Sequence, residues 1–275
     1  MNYDKTFPVK KSSSQAQASH QELILDQFTR NAAAFATAPE ITNAEALNLL
    51  VKLAGAGPAD TVLDVACGPG LVVCAFAEIT RHATGIDATP AMIDRARELQ
   101  HEKRLRNVSW QIADVPPLPY SDAAFSIVTS RYAFHHLQNP AAVISEMQRV
   151  CAPRGKIVLA DVLASPDPKK AAAFNRMERL RDPSHVRAMS LAEQKRLLRQ
   201  AGLQVLQTAF YGLEFELGKL LQGSAPNPRN AARVRGMFLA ELDKNLIDLS
   251  VRRDGSEIFV SYPIAVLVAQ KQRPK

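Results

Sequence analysis

Short apolar runs alternate with helical patterns between residues 62 and 162, and this alternation constrains the fold more than any other feature of the chain. Helices of this length between consecutive strands act as crossovers, which make the strands parallel and cover both faces of the sheet. We therefore expect an α/β fold with a doubly wound, mostly parallel sheet. The predicted strands are 62–65, 83–86, 108–112, 125–129 and 156–162, and the predicted helices are 71–79, 91–100 and about 140–150.

The flanking segments depart from this simple alternation. Helical patterning precedes the first strand, over residues 20–56, and two further helical stretches span 164–200 and 213–250. Strands predicted at 204–210 and 257–268 bring the sheet to seven strands. We expect a single domain from residue 20 to the end of the chain. In this domain the first helical segment forms a flap, and the two later stretches, the cap insertions, cover a binding site.

Composition indicates a globular protein with a short tail. At 275 residues and 47% hydrophobic side chains, the chain can bury a core large enough for one domain. Residues 1–19 have little to bury and are predicted to be a disordered tail. The sequence contains no apolar run of 18 residues and no secretory signal at its start. We expect a soluble, cytoplasmic protein with no membrane insertion, whereas the sequence predicts no particular oligomeric state.

Cysteine content and charge limit the possible ligands and partners. Cys67, Cys74 and Cys151 form no CxxC pair, so we expect three buried thiols and neither a disulfide framework nor a zinc site. The net charge of +7 could indicate binding to nucleic acid. However, residues 4–11 contribute +2 and residues 271–275 contribute +3, which leaves only +2 for the rest. Charged tails explain this distribution, so no nucleic-acid partner is predicted.

Acidic residues follow three successive predicted strands. Asp64 ends the first strand and precedes a glycine turn, Gly68-x-Gly70, while Asp87 ends the second strand and Asp114 follows the third. Glycine lets the backbone approach a ligand closely, and a carboxylate can accept both hydrogen bonds of a ribose diol. Because ligands of such sheets bind at the carboxyl ends of the strands, this combination predicts a nucleoside-containing cofactor there.

An NAD-dependent oxidoreductase is the rival interpretation, since it also combines a glycine turn with an acid after the second strand. Its fingerprint needs Gly or Ala at position 73, where this chain has the bulkier Val73. A short-chain dehydrogenase would also need a lysine four residues after a tyrosine. No lysine lies there after Tyr120, Tyr132, Tyr211 or Tyr262.

Four segments of the chain resemble the motifs of class I S-adenosylmethionine-dependent methyltransferases. These segments are VLDVACGPG, ATGIDATPAMIDRAR, IADVPPLPYSDAAFSIVTSRYAFHHL and RGKIVLADV. The resemblance covers about residues 25 to 210 and is strongest to the methyltransferase-11 group, which includes the ubiquinone and menaquinone C-methyltransferases. It implies a Rossmann-like fold, S-adenosylmethionine as cofactor and a small-molecule acceptor as partner.

The resemblance also implies which residues hold the cofactor. Asp64 and the glycine turn would cradle its methionine part, Asp87 its ribose and Asp114 its adenine amine, with the Arg131 backbone near its ammonium group. One departure from the family is Ala66, where many members have glycine. The full implied set is Asp64, Ala66, Gly68, Gly70, Asp87, Ala88, Met92, Ala113, Asp114, Val115 and Arg131.

A similar N-terminal segment covers the cofactor in related methyltransferases. The resemblance therefore implies that residues 1 to about 40 form a mobile flap, with the helix that carries Phe28, Arg30 and Phe35 closing over the cofactor.

Methyl transfer is an in-line displacement, so the acceptor site has chiefly to align a nucleophile and exclude water. His135 and His136 lie just beyond the fourth strand, where the acceptor meets the methyl group in this fold. Either histidine could be the general base because an imidazole titrates near neutrality; His135 is our first candidate, and His185 in the cap is the reserve. A histidine that only packs or caps a helix is the alternative. Adjacent histidines point to different faces, so no metal site is predicted.

The first cap insertion contains further candidates. Residues 178–187 resemble a signature of a bacterial subgroup of the family, and Arg181 could bind an anionic acceptor there. Salt bridges to Glu178 and Asp182 that fold the cap are an equally good interpretation. The candidate acceptor-binding residues are Tyr132, Arg181 and His185.

Together these observations predict transfer of a methyl group from S-adenosylmethionine to oxygen, nitrogen or carbon of a hydrophobic or aromatic small molecule. A quinone-pathway C-methyltransferase is the alternative among methyltransferases. Two alternatives from other classes are a cofactor-binding protein without catalysis and the NAD-dependent oxidoreductase.

Overall fold

The computed structural model describes residues 13–271, with side chains described from residue 20 onward. Within that range the strands are β1 (Thr61–Val65), β2 (His82–Asp87), β3 (Val108–Ile112), β4 (Phe125–Arg131), β5 (Cys151–Val162), β6 (Leu203–Glu216), β7 (Ser250–Asp254) and β8 (Glu257–Lys271). The α-helices are α1 (Ser13–Thr37), α2 (Ala44–Ala54), α3 (Leu71–Ala77), α4 (Pro90–Glu102), α5 (Pro140–Val150), α6 (Pro168–Arg181), α7 (Leu191–Gln200), α8 (Leu217–Ser224) and α9 (Pro228–Lys244).

The strands form one sheet in the order β3-β2-β1-β4-β5-β8-β6, and β7 pairs with β8 outside this path. Strands β1 to β5 pair in parallel, whereas β8 runs antiparallel to β5, β6 and β7. This arrangement confirms the predicted doubly wound, mostly parallel sheet. The strand order reverses between β1 and β4, so a switch-point crevice opens at their carboxyl ends.

Apolar side chains fill three cores. One core packs α5 and α7 on the sheet around residues such as Met147 and Leu198, and a second packs α2 and α3 around Leu50 and Phe76. The third lies beyond the strand ends, where α6, α8 and α9 pack against β8 around residues such as Phe174. The third core makes the cap an apolar unit of its own beside the switch point.

The structure divides the predicted cap differently from the sequence. Of the 164–200 segment, only α6 and the loop after it belong to the cap, because α7 packs into the sheet core through Leu197 and Leu198. The second segment, 213–250, begins as the end of β6 before α8 and α9 form. Strand β7 was not predicted, and it pairs with β8 across a two-residue turn, Gly255-Ser256.

The N-terminal helix begins at Ser13, earlier than the predicted start near residue 20. Part of the predicted disordered tail therefore belongs to α1, whereas residues 1–12 lie outside the described residues. Between residues 13 and 271, no helix combines the length and the apolar character needed to cross a membrane.

Candidate active site

A cavity of about 140 Å³ lies at the switch point, between the carboxyl ends of β1, β2 and β4 and the covering helix α1. Tyr132 lines it, together with ten of the eleven residues predicted to hold the cofactor, and Gly70 does not. Those ten are Asp64, Ala66, Gly68, Asp87, Ala88, Met92, Ala113, Asp114, Val115 and Arg131. Most of the remaining wall is apolar and was not predicted, and it includes Ile24, Ile41, Leu71, Val72 and Leu137.

The glycine turn places two glycines in different surroundings. Gly68 has φ +52° and lines the cavity, and a Cβ added there would meet no atom within 4 Å. Gly70 has φ +80°, and a Cβ there would lie 2.6 Å from the Trp110 ring and 2.7 Å from Ala96. Gly68 therefore keeps space open for a ligand, whereas Gly70 is required for close packing of the turn. Ala66 also has a left-handed backbone, at φ +56°, which explains why glycine suits this position.

The Asp87 carboxylate is held by the backbone on either side of it. Its Oδ2 accepts a hydrogen bond from the Gly68 N–H at 2.8 Å, and its Oδ1 accepts one from the Thr89 N–H at 2.8 Å. Burial raises the pKa of Asp87, and these two backbone bonds oppose that rise. The Thr89 side chain also opposes that rise by a hydrogen bond, and since a carboxylate has about four acceptor sites, Asp87 can still accept from a ligand.

Asp64 and Arg131 leave buried polar atoms without partners beside the cavity. Asp64 is 1% exposed, and its Oδ1 has no hydrogen-bond partner among the described residues. The same is true of Nη1 of Arg131, while its Nη2 donates to the Ile41 carbonyl. Burial raises the pKa of Asp64, and the charge of Arg131 opposes this. An unpaired buried polar group costs about 1–3 kcal/mol, so these atoms point to a polar ligand.

Helix α1 closes the cavity from above. Phe28 and Phe35 line it, as the sequence predicted, and Gln21 donates its side-chain N–H to Asp114 Oδ2 at 2.7 Å. Arg30 does not face the cavity, because it is exposed and pairs with Asp26 one helical turn earlier. The contact of Gln21 occupies the carboxylate that was predicted to bind the adenine amine.

His135 is fixed by a buried aspartate at the end of β5. Its Nδ1 lies 2.6 Å from Asp161 Oδ1, and its backbone N–H donates to Asp161 Oδ2 at 2.9 Å. Burial alone would lower the pKa of His135, but the charge and hydrogen bond of Asp161 outweigh it and raise the pKa. His135 does not line the cavity, and its side chain is 14% exposed.

His136, rather than His135, lines the cavity. Its Nδ1 lies 3.0 Å from the Ser184 hydroxyl, which donates to Asp182 Oδ1 at 2.5 Å. Burial, with the neighbouring His135, lowers the pKa of His136 to about 4. The ring is therefore neutral at physiological pH.

The structure does not bring Arg181 and His185, two predicted acceptor-binding residues, to this cavity. Arg181 forms a bidentate ion pair with Glu178, which also accepts a hydrogen bond from the Tyr262 hydroxyl at 2.8 Å. His185 is 3% exposed and bonds Asn175 Oδ1 through Nε2 at 2.7 Å. Neither residue lines the cavity, because the cap uses both to hold α6 in place.

Tyr132 connects the cavity to the cap. It lines the cavity, packs against the cap core and places its hydroxyl 2.5 Å from that of Tyr211 on β6. Its backbone is left-handed, at φ +58°, and its ring lies 4.4 Å from the Arg131 guanidinium carbon. Left-handed non-glycine residues are costly and cluster at functional sites, so this geometry favours Tyr132 as an acceptor contact.

No sequence signal for Asp161 was used, and His135 was preferred to His136, the histidine that lines the cavity. Asp161 could have been found, because it precedes the end of a predicted strand by one residue, in the same region of the sheet as Asp64 and Asp87. The choice between His135 and His136 depends on the path of the loop after β4, which the residue pattern does not specify.

Comparison with known proteins relates this chain to methyltransferases. Residues 63–159 match the family model of a methyltransferase domain, Methyltransf_11. The chain is 36% identical to the uncharacterized methyltransferase YcgJ of Bacillus subtilis over 60% of its own length and 66% of that protein. The crystal structure of YcgJ superposes with a TM-score of 0.75 at 27% identity, covering 84% of this chain and 99% of that one.

Two relatives with named acceptors are more distant. The chain is 32% identical to the 27-O-demethylrifamycin SV methyltransferase of Amycolatopsis mediterranei, over 56% of this chain and 58% of that enzyme. It is 29% identical to the 2-phytyl-1,4-naphtoquinone methyltransferase of a Nostoc species, over 41% of this chain and 51% of that enzyme. The chain thus spans about half to two thirds of these curated relatives. From its family match, its fold and its strand-end site, the chain belongs to the class I S-adenosylmethionine-dependent methyltransferases.

Proposed function

We propose that the protein transfers the methyl group of S-adenosylmethionine to a small organic acceptor with a hydrophobic or aromatic body. One observation carries the proposal: Asp64 and Arg131, each of which has an unpaired buried polar atom, line a cavity whose other walls are largely apolar. Such a site suits a ligand with a charged amino-acid end and a flat nucleoside. When bound, the cofactor supplies a methyl group on a positively charged sulfur.

In this proposal each predicted cofactor residue has a separate task. Asp87 would accept hydrogen bonds from the two ribose hydroxyls with its remaining lone pairs. Asp64 and the Arg131 backbone would lie at the amino-acid end. Asp114 would accept the adenine amine once Gln21 releases it, and the open space beside Gly68 would admit the ligand.

The cavity has to widen for this ligand to enter. Small-molecule sites usually measure about 300–1,000 Å³, whereas this cavity measures about 140 Å³. Because α1 forms its roof and contributes Gln21, Phe28 and Phe35, we propose that α1 is the flap that moves.

We propose His135 as the general base for acceptors that must lose a proton. In the neutral ring of His135, the carboxylate of Asp161 accepts the Nδ1 proton and Nε2 carries the free lone pair that could accept a proton. Asp161 would also stabilise the imidazolium that forms after proton transfer. His135 would receive the proton from an acceptor that lies beside Tyr132 and the ring of His136, whose centroid is 4.2 Å from that of His135.

A quinone-ring carbon is the second candidate acceptor. The relation to the Nostoc naphthoquinone enzyme favours it, and so do the apolar cap residues next to Tyr132. Methylation at carbon would use the same cofactor site, and the ring carbon would be aligned with the methyl group in the same way as an oxygen or nitrogen nucleophile.

A product screen tests the proposal. The purified protein is incubated with cofactor labelled in its methyl group and with phenols, hydroxylated macrolides and demethylated naphthoquinones. We expect labelled product from at least one aromatic class. If the cofactor binds but no acceptor in any class is labelled, a cofactor-binding protein without catalysis replaces this proposal.

A further inference from the structure

The segment Asp182–Arg187 wraps the loop that carries the two histidines. The backbone N–H groups of Val186 and Arg187 both donate to the His135 carbonyl, at 2.9 and 3.0 Å. The side chain of Ser184 reaches His136 from the same segment. Ser184 had no predicted role, and its contact leads directly to a cavity-lining ring.

Asp182, Ser184 and His136 are connected by hydrogen bonds, and the donor and the acceptor of each bond can be assigned. The Ser184 hydroxyl has one proton, and it donates that proton to Asp182 Oδ1 at 2.5 Å. Asp182 Oδ1 also accepts the Ser184 backbone N–H at 2.9 Å, which fixes the serine in place. Ser184 Oγ can therefore only accept from His136, so Nδ1 of His136 must carry a proton.

The other ring nitrogen is then an acceptor. The ring is neutral, because burial lowers its pKa to about 4. A neutral imidazole with a proton on Nδ1 has a lone pair on Nε2. Among the described residues Nε2 of His136 has no hydrogen-bond partner, and His136 lines the cavity between Phe28 and Leu137.

We propose that Asp182 and Ser184 are positioning residues that hold His136 as the Nδ1–H tautomer, so that Nε2 accepts a hydrogen bond from a hydroxyl group of the methyl acceptor. The proposal rests on the proposed function, because it assigns a substrate group to the same site. A hydrogen bond to Nε2 of His136 would favour acceptors that carry a hydroxyl donor over otherwise similar molecules that lack one.

Nitrogen-15 NMR of the imidazole rings tests the tautomer without any acceptor. His136→Asn identifies the His136 signals by their loss. We expect Nδ1 of His136 to appear protonated and Nε2 unprotonated at neutral pH. A wild-type ring protonated at Nε2, or at both nitrogens, would overturn the proposal.

Two serine variants test the cause of the tautomer. Ser184→Ala removes the acceptor for Nδ1–H, so we expect loss of the single tautomer and a mixture of both. Ser256→Ala, in the exposed turn between β7 and β8, is the matched control and should leave the ring signals unchanged. A folded Ser184→Ala protein that keeps the wild-type tautomer would show that Ser184 does not position His136.

Phenol and anisole test the acceptor contact, in the presence of S-adenosylhomocysteine. Phenol carries a hydroxyl donor, and anisole has nearly the same shape without it. We expect phenol to shift the Nε2 signal of His136 in a saturable way and anisole to leave it in place. An unshifted signal at the highest phenol concentration, or equal shifts with both compounds, would overturn the contact. Failure of S-adenosylhomocysteine itself to bind would instead count against the proposed function, because the tautomer is measured without it.

Discussion

Gly68 and Gly70 stand two residues apart, and an added methyl group would have a different consequence at each. Gly68→Ala places a Cβ in open space, so it should cost only the left-handed backbone penalty, about 1–2 kcal/mol of stability. Gly70→Ala adds overlap with Trp110 and Ala96, and we expect a loss of about 3 kcal/mol or more. Gly68→Ala should weaken binding of S-adenosylhomocysteine more than its small stability loss suggests, because this position lines the cavity.

Urea unfolding and calorimetry on the two glycine variants check this contrast. Each variant is the control for the other, since the substitution and the sign of φ are the same. Equal stability losses, or unchanged cofactor affinity in Gly68→Ala, would contradict the assigned difference between a ligand-facing and a packing glycine.

His136 should make the fold sensitive to acid. Its pKa falls from 6.5 to about 4 on folding, so the unfolded chain binds a proton between these values and the folded chain does not. This stabilisation is fully present above about pH 6.5 and is lost as the pH falls towards 4. At 1.36 kcal/mol per pH unit, we expect His136 to account for about 2 kcal/mol of lost stability between pH 6.5 and pH 5.

Denaturant unfolding of the wild type and of His136→Gln, at pH 6.5 and pH 5, isolates this contribution. Glutamine does not titrate, so the variant should lose about 2 kcal/mol less over the same interval. His185, whose pKa burial also lowers, is present in both proteins and cancels in the comparison. If both proteins lose the same free energy of unfolding between pH 6.5 and pH 5, the pKa of His136 is not lowered in the folded protein.

At the scale of the helix, α1 forms one wall of the cavity and is held there by a hydrogen bond from Gln21 to Asp114. Gln21→Ala removes the hydrogen bond to Asp114 Oδ2, which should let α1 open more readily. A single hydrogen bond to a charged group contributes about 1.5–3 kcal/mol, so we expect amide exchange in α1 to rise tenfold or more without ligand. Its exposed neighbour Glu22 provides the control, Glu22→Ala.

Hydrogen exchange with and without S-adenosylhomocysteine measures this opening. Ligand should slow exchange across residues 20–37 in the wild type and in both variants. If α1 exchanges equally with and without ligand, it is a permanent part of the fold and not a flap.

Helix α6 is attached to β8 through Glu178, which accepts a hydrogen bond from the Tyr262 hydroxyl and pairs with Arg181 within the helix. Arg181→Ala would leave Glu178 buried without its positive partner, and breaking a buried pair in this way costs about 3–5 kcal/mol. We expect a lower melting temperature and equally reduced activity towards every acceptor. Arg187→Ala, at an exposed ion pair of the same segment, should change stability by less than about 1 kcal/mol.

Thermal unfolding and kinetics with two different acceptors separate this role from substrate binding. A folded Arg181→Ala protein of wild-type stability, with a raised Michaelis constant for anionic acceptors alone, would restore Arg181 as a binding residue.

Across the whole molecule, the sequence predicted those features that depend on local pattern. The strands β1 to β5 and the acids at their ends were predicted because buried strands read as apolar runs and parallel strands share one carboxyl edge. The turn at Gly255-Ser256 also carried a hairpin signal that was overlooked.

Contacts between distant segments could not be predicted in this way. Glu178, which pairs with Arg181, accepts a hydrogen bond from Tyr262, 84 residues further along the chain. His136 contacts Ser184, which lies 48 residues away. No periodicity relates such positions. For this reason the strand-end residues that line the cavity could be predicted to lie together, whereas the cap, which the chain builds from three separate helices, could not.

The most direct test of the central claim is calorimetric titration of the wild type, Asp87→Ala and Asp94→Ala with S-adenosylhomocysteine and with NAD. Asp94 is exposed on α4 and is the matched control. We expect the wild type and Asp94→Ala to bind S-adenosylhomocysteine and not NAD. Loss of two charge-assisted bonds in Asp87→Ala should weaken binding by about 2 kcal/mol or more, about thirtyfold. Unchanged affinity in a folded Asp87→Ala protein, or tight binding of NAD, would contradict the account.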